Sequence, residues 1–254
     1  MDLLNALILG IIQGLTEFIP VSSKGHLVIA QKLMQNFTEP PLLFDAVLHL
    51  GTAAVIIFYF RKRLKEIFTN ARLVLMVVIA TIPVAIAGYV FKHKIEDLFT
   101  NAQLTGVCFI IMGTVLYFAD RQQNGVKSAS ETTWFDALLI GLAQVFALIP
   151  GISRSGSTIS SGIFRGLDRK FAMEFSFLLS VPAILGAAGL KIKDALHDGA
   201  AQLNLLPFAA GFLAAAVIGY LTIKVLMNFL LKQRMYLFSI YLWIAGTLVL
   251  VLFR

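Results

Sequence analysis

Within the stretch GLTEFIPVSSKGHL, residues 14 to 27, a very apolar chain gathers Glu17, Ser22, Ser23, Lys24 and His26. Gln13 and Glu17 stand four apart and share one helical face, while Ser23 and His26 stand three apart beyond Pro20. That spacing can bring a carboxylate, a hydroxyl and an imidazole together across the proline turn. Glu17 could bind a divalent cation or move a proton, Ser23 could attack or hydrogen-bond, and His26 could act as acid, base or nucleophile. The residues alone do not rank these roles. A second stretch, PGISRSGSTISSG from Pro150, holds Ser153, Arg154, Ser155, Ser157 and Thr158. Arg154 offers a planar fork of donors suited to phosphate oxygens, with hydroxyls in or near the same first turn. Ser22 or Ser23, and Ser153, can each cap a helix whose leading N–H groups favour an anion.

Plainer roles exist for each residue. Ser22, Ser155 and Ser160 are suited to capping alone, Arg154 to closing helix-end carbonyls, and Glu17 to pairing with Lys24. His26 is suited to an interhelical hydrogen bond. Asp45 and His49, one turn apart, are expected to line a cavity in a supporting role, and His93 and His197 to sit solvated in loops. GISRSG matches neither a nucleotide phosphate loop nor a nucleophile elbow.

The elements that must position these groups are membrane helices. The 254 residues are 58% hydrophobic and 14% charged, with a mean hydropathy of +0.84, well outside the usage of soluble domains. Apolar runs at 42–60, 73–91, 104–119, 171–190, 205–223 and 237–253 approach the ~20 residues that cross a bilayer as helix. They predict an all-α polytopic membrane protein with six spans and no barrel, because the runs are continuous rather than alternating. The amino terminus has no Lys or Arg before Lys24, so no cleaved signal peptide is expected. The net charge of +7 sits in short loops between spans, which argues for membrane topology and against nucleic acid. Cys108, the single cysteine, lies in an apolar run and is expected to pack as a small hydrophobe.

The chain also resembles itself. Gly10 and Gln13 recur as Gly141 and Gln144, FDAVLHLG from Phe44 recurs as FSFLLSVP from Phe175, and Gly88-Tyr89 recurs as Gly219-Tyr220, each 131 residues on. Two repeats follow, about 1–121 and 132–254. Each opens with an apolar segment that breaks, 3–19 at Pro20 and 134–149 at Pro150-Gly151, followed by short pieces at 22–35 and 153–164. These read as re-entrant helix hairpins, each preceding three spans. Because three is odd, the second repeat is expected to be inverted, with the site where the hairpin tips meet. Placing RKRLKE, from Arg61, in the cytoplasm puts most other basic residues there too. Both termini and the mouth of the site are then outside.

On these two segments the chain resembles the undecaprenyl-diphosphatase, or bacitracin-resistance, family of bacterial inner membranes. That family's first signature, Glu or Gln followed four residues on by Glu, falls on Gln13 and Glu17, and PVSSKGH brings Ser22, Ser23 and His26. Its second, Pro-Gly-x-Ser-Arg-Ser, falls on PGISRS with Ser153, Arg154 and Ser155, and Thr158 follows. The resemblance covers essentially the whole chain. It implies hydrolysis of undecaprenyl diphosphate to the monophosphate and inorganic phosphate, recycling the lipid carrier of cell-wall synthesis, with Mg2+ or Ca2+ assisting. Its implied catalytic set is Glu17, Ser23, His26 and Arg154; its phosphate-binding set is Ser22, Ser153, Arg154, Ser155 and Thr158. Gln13 stands where many members are acidic, which leaves Glu17 as the first motif's one carboxylate and candidate metal ligand. The partners are then a polyprenyl diphosphate and the bilayer, and a homodimer is compatible with the reading. The rival reading is a transporter or lipid flippase, since inverted repeats with broken helices also serve transport.

Overall fold

In the computed structural model every long apolar run is a helix, as it must be where no water is present to satisfy backbone groups. The structure describes residues 2–34, 41–197, 204–232 and 234–254. Gln35, at the end of the expected 22–35 piece, and Asp198, in the loop beyond the fourth span, lie outside the described residues. The described residues form twelve helices: α1 (Leu3–Thr16), α2 (Ser23–Leu33), α3 (Pro41–Tyr59), α4 (Arg61–Thr69), α5 (Ala71–Val90), α6 (Lys92–Leu98), α7 (Ala102–Asp120), α8 (Trp134–Phe146), α9 (Arg154–Phe164), α10 (Arg169–His197), α11 (Leu205–Leu231) and α12 (Met235–Leu252). Six of them, α3, α5, α7, α10, α11 and α12, are long and apolar enough to cross a membrane, matching the six expected spans.

Two connections expected as loops are short helices instead. RKRLKE opens α4 and KHKIEDL forms α6. The broken segments also stop earlier than their prolines suggest. α1 ends at Thr16, ahead of Pro20, and α8 ends at Phe146, ahead of Pro150. The prolines disfavour helical geometry at Ile19 and Ile149, so neither helix resumes through its break. After α8 the chain tightens through three-residue bonds from Ala147 to Gln144, Leu148 to Val145 and Ile149 to Phe146. α8 is started by a capping box: Thr133 Oγ1 accepts from the Asp136 N–H, and the Asp136 carboxylate accepts from the Thr133 N–H.

The packing crosses between the two halves. α1 lies on α11 and α8 lies on α5, while α3 packs on α11 and α10 on α5. Exchanging the halves turns each of these pairs into its counterpart. Small residues allow the close approach. A Cβ on Gly10 would stand 2.5 Å from the Gly211 carbonyl oxygen, and one on Gly141 would stand 2.4 Å from that of Ala80. Phe18, just past α1, meets Phe177 of α10 edge-on at 5.9 Å in the main apolar core.

Candidate active site

The hairpins α1–α2 and α8–α9 meet tip to tip. The Ser22 hydroxyl donates to the Ile152 carbonyl at 3.3 Å. Gly25 packs against Gly151, whose φ of +99° and closeness to the Thr105 carbonyl leave no room for a side chain. Ser22 caps α2 in a left-handed conformation, φ 70°, unique among the described non-glycine residues. Such strain persists only when the surroundings impose it. Here His26 does so: its backbone N–H and its ring Nδ1 both bond the Ser22 carbonyl, at 3.2 and 2.8 Å. Because a carbonyl only accepts, Nδ1 carries a proton. Nε2 then lies 2.6 Å from the Tyr241 hydroxyl; the ring is near-parallel to that of Tyr241 and meets Phe109 at a tilt of 36°. On the second tip, Ser153 caps α9 by accepting from the Gly156 N–H at 3.0 Å.

The tips place Glu17, 7% exposed, among four polar partners. Ser23 Oγ donates to Oε2 at 2.5 Å, and Gln13 Nε2 donates to the same oxygen at 3.1 Å. His49 Nε2 stands 3.4 Å from Oε2, and Arg154 Nη2 donates to Oε1. Gln13 also reaches Thr52 Oγ1 at 3.3 Å, and His49 Nδ1 donates to the Asp45 carbonyl at 2.7 Å. The imidazole beside the carboxylate is therefore that of His49. His26 belongs to the α2 face turned toward α7 and α12.

This cluster forms the polar end of a cavity of about 530 Å3. Glu17, Ser23, Lys24, Asp45, His49 and Arg154 gather there, with Ser22, Ser153 and Ser155 beside them. From this end the cavity runs between α5 and α10 past Val84, Ala85, Ile184 and Ala187 to Lys92 and Lys191. At that end Lys92 pairs with Asp194 at 2.6 Å, and Lys191 pairs with Glu96. Several buried polar atoms have no hydrogen-bond partner among the described residues: Arg154 Nη1, Asp45 Oδ2, Gln13 Oε1 and both side-chain polar atoms of Gln144. Buried donors and acceptors are rarely left so, and several of these residues line the cavity. Thr158 faces elsewhere, its hydroxyl 2.6 Å from Ser176 and 2.9 Å from the Arg154 carbonyl.

Glu17 and Asp45 are the carboxylates that a divalent ion would meet at the polar end of the cavity. No three His, Cys, Asp or Glu side chains among the described residues are arranged to hold one. Both oxygens of Glu17 are already engaged, one of them by a guanidinium.

Three residues with a place in the cluster were not assigned to the chemistry from sequence. The spacing of His49 points only to a supporting role beside Asp45 and does not tie it to Glu17. Thr52 carries no signal at all in an apolar run. Gln144 did carry one, as the repeat mate of Gln13.

A pocket with a paired cation and carboxylate at one end and apolar walls, set among six helices long and apolar enough to cross a membrane, defines a polytopic membrane protein with an internal amphiphilic site. The chain belongs to the family described as bacitracin resistance protein BacA, which matches residues 6–248. It is 45% identical to the undecaprenyl-diphosphatase of Carboxydothermus hydrogenoformans, covering 99% of this chain and 98% of that one. It is 40% identical to the undecaprenyl-diphosphatase of Methanobrevibacter smithii, covering 98% and 97%. Against undecaprenyl-diphosphatase 3 of Bacillus cereus the identity is 40%, covering 99% and 98%.

Proposed function

We propose that the protein hydrolyses undecaprenyl diphosphate to undecaprenyl phosphate and inorganic phosphate, with bacitracin resistance as the cellular consequence. The observation that carries this is one carboxylate, Glu17, holding the Ser23 hydroxyl at 2.5 Å and the Arg154 guanidinium at the polar end of an apolar cavity. The shared name of the relatives supports the same substrate. Ser23 Oγ attacks the terminal phosphorus while Glu17 accepts its proton. The bond from phosphorus to the bridging oxygen breaks, and its electron pair leaves with undecaprenyl phosphate, which carries the proton away. Water then attacks the phosphoserine, the bond from phosphorus to Ser23 Oγ breaks, inorganic phosphate leaves, and Glu17 passes the water's proton to Ser23 Oγ. Arg154 Nη1, Lys24 and the N–H groups of α9 hold phosphate oxygens as charge shifts during transfer. The prenyl chain occupies the wall between α5 and α10.

Mg2+ or Ca2+ belongs, on this reading, to the diphosphate substrate as its counter-ion rather than to protein ligands. The two repeats are inverted, and the basic residues of α4 and of the 121–127 segment face the cytoplasm. Lys92, Lys191 and both termini are then outside an inner membrane, where the cavity opens.

Detergent-purified protein is expected to release phosphate from a polyprenyl diphosphate with no gradient present. Chelation of divalent ions should stop release without moving the melting temperature. Lipid movement in liposomes with no phosphate release would replace this reading with the flippase one.

A further inference from the structure

Gln13 and Gln144 occupy equivalent positions in the two repeats, 131 residues apart, and both are buried. The amide of Gln13 is used: Nε2 reaches Glu17 and Thr52. The same shift carries those two partner positions to Leu148 and Ala183, neither of whose side chains can hydrogen-bond an amide. Gln144 is 1% exposed, and neither Oε1 nor Nε2 has a partner among the described residues. Burying a primary amide unpaired is costly, and an apolar residue would suit a site beside Leu148 and Ala183 better. Gln144, Leu148 and Ala183 all line the cavity that holds Arg154, whose Nη1 is also buried and unpartnered. Both unpartnered groups thus belong to residues that line one and the same cavity.

We propose that Gln144 is a substrate-binding residue, its side-chain amide taking up an oxygen of the diphosphate alongside Arg154. The inference rests on the phosphatase reading and adds a residue that neither signature contains. Nε2 donates to a phosphate oxygen. Oε1 is left to accept from water that enters with the headgroup, so the one amide serves an anion and its hydration together.

The test uses purified wild type, Gln144→Leu and Gln144→Met, with three measurements on each. These are phosphate release from a polyprenyl diphosphate, binding of its non-hydrolysable methylene-bridged analogue, and melting. A hydrogen bond to a charged group implies analogue binding and kcat/KM weakened by ~10-fold or more in both variants. Melting should be unchanged or raised, because the unpaired amide has gone. Gln144→Glu, which sets a carboxylate against the phosphates, should bind the analogue more weakly still. Wild-type affinity in a folded Leu or Met variant overturns the proposal. So does a lowered melting temperature in both, since that assigns the amide a partner within the protein. Analogue binding that depends on Gln144 in a wild type that releases no phosphate would sink the phosphatase reading and leave Gln144 as a phosphate ligand.

Discussion

With one carboxylate oxygen on Arg154 and the other on Ser23, Glu17 links the hydroxyl that must lose a proton to the cation that must meet the phosphate. In Glu17→Gln the amide fills the same space but cannot accept that proton. Turnover measured as phosphate release is expected to fall at least ~100-fold, the usual scale for removing a general base. Arg154 has two tasks, one per guanidinium nitrogen, and Lys has a single ammonium for both. Arg154→Lys should therefore lose ~100-fold in release while melting close to the parent, because a counter-charge for Glu17 remains. Arg154→Ala should lose stability as well, leaving a buried carboxylate without its cation. Wild-type turnover in the Lys variant would remove Arg154 from phosphate binding. At this scale the two signatures were legible because their residues lie within a few positions of Pro20 and Pro150. His49 was not, since only the packing of α3 against the first tip brings it to Glu17.

Helix ends hold the least legible part of the fold and one of its clearest stability devices. The six spans could be read directly, since crossing hydrocarbon demands long apolar runs. Their flanks could not: the first turns of α4 and α6 are charged, and charged residues suit an interfacial helix as well as a loop. At the start of α8, outside the six spans, burial pushes the Asp136 carboxyl up. The Thr133 N–H, the Arg165 guanidinium at 2.7 Å, the Thr133 hydroxyl and Lys127 outweigh it and hold the group down to about 2, from an ordinary 3.8. A lowered folded-state value means stability that is present above the ordinary value and lost as pH falls toward about 2. Asp136→Asn should thus melt below wild type at pH 7, by the ~1 kcal/mol typical of a lost cap. The gap should close across pH 4 to 2, as followed by melting in detergent. A gap independent of pH would mean that shape rather than charge sets this end of the helix.

Across the whole molecule, the recurrence of residues at a shift of 131 is legible in the sequence, but the crossing of helices between halves is not, because periodicity does not say which neighbour a face meets. The proposed orientation gives a direct expectation. In a Cys108→Ala background, Thr100→Cys beside α6 should react with an impermeant thiol reagent on intact cells. Gln123→Cys, past α7, should react only after permeabilisation; the reverse pattern would invert the assignment. The crossing also bears on how the protein is made. α1 leaves the ribosome ahead of α2 to α12, yet its principal neighbour, α11, emerges after nine of them. Until then the first hairpin has no partner for Gly10 and Gly14, and Glu17 has no Arg154. Translation must proceed past residue 220 before the first hairpin can settle, so a ribosome stalled after the first repeat should leave it open to protease and crosslinker.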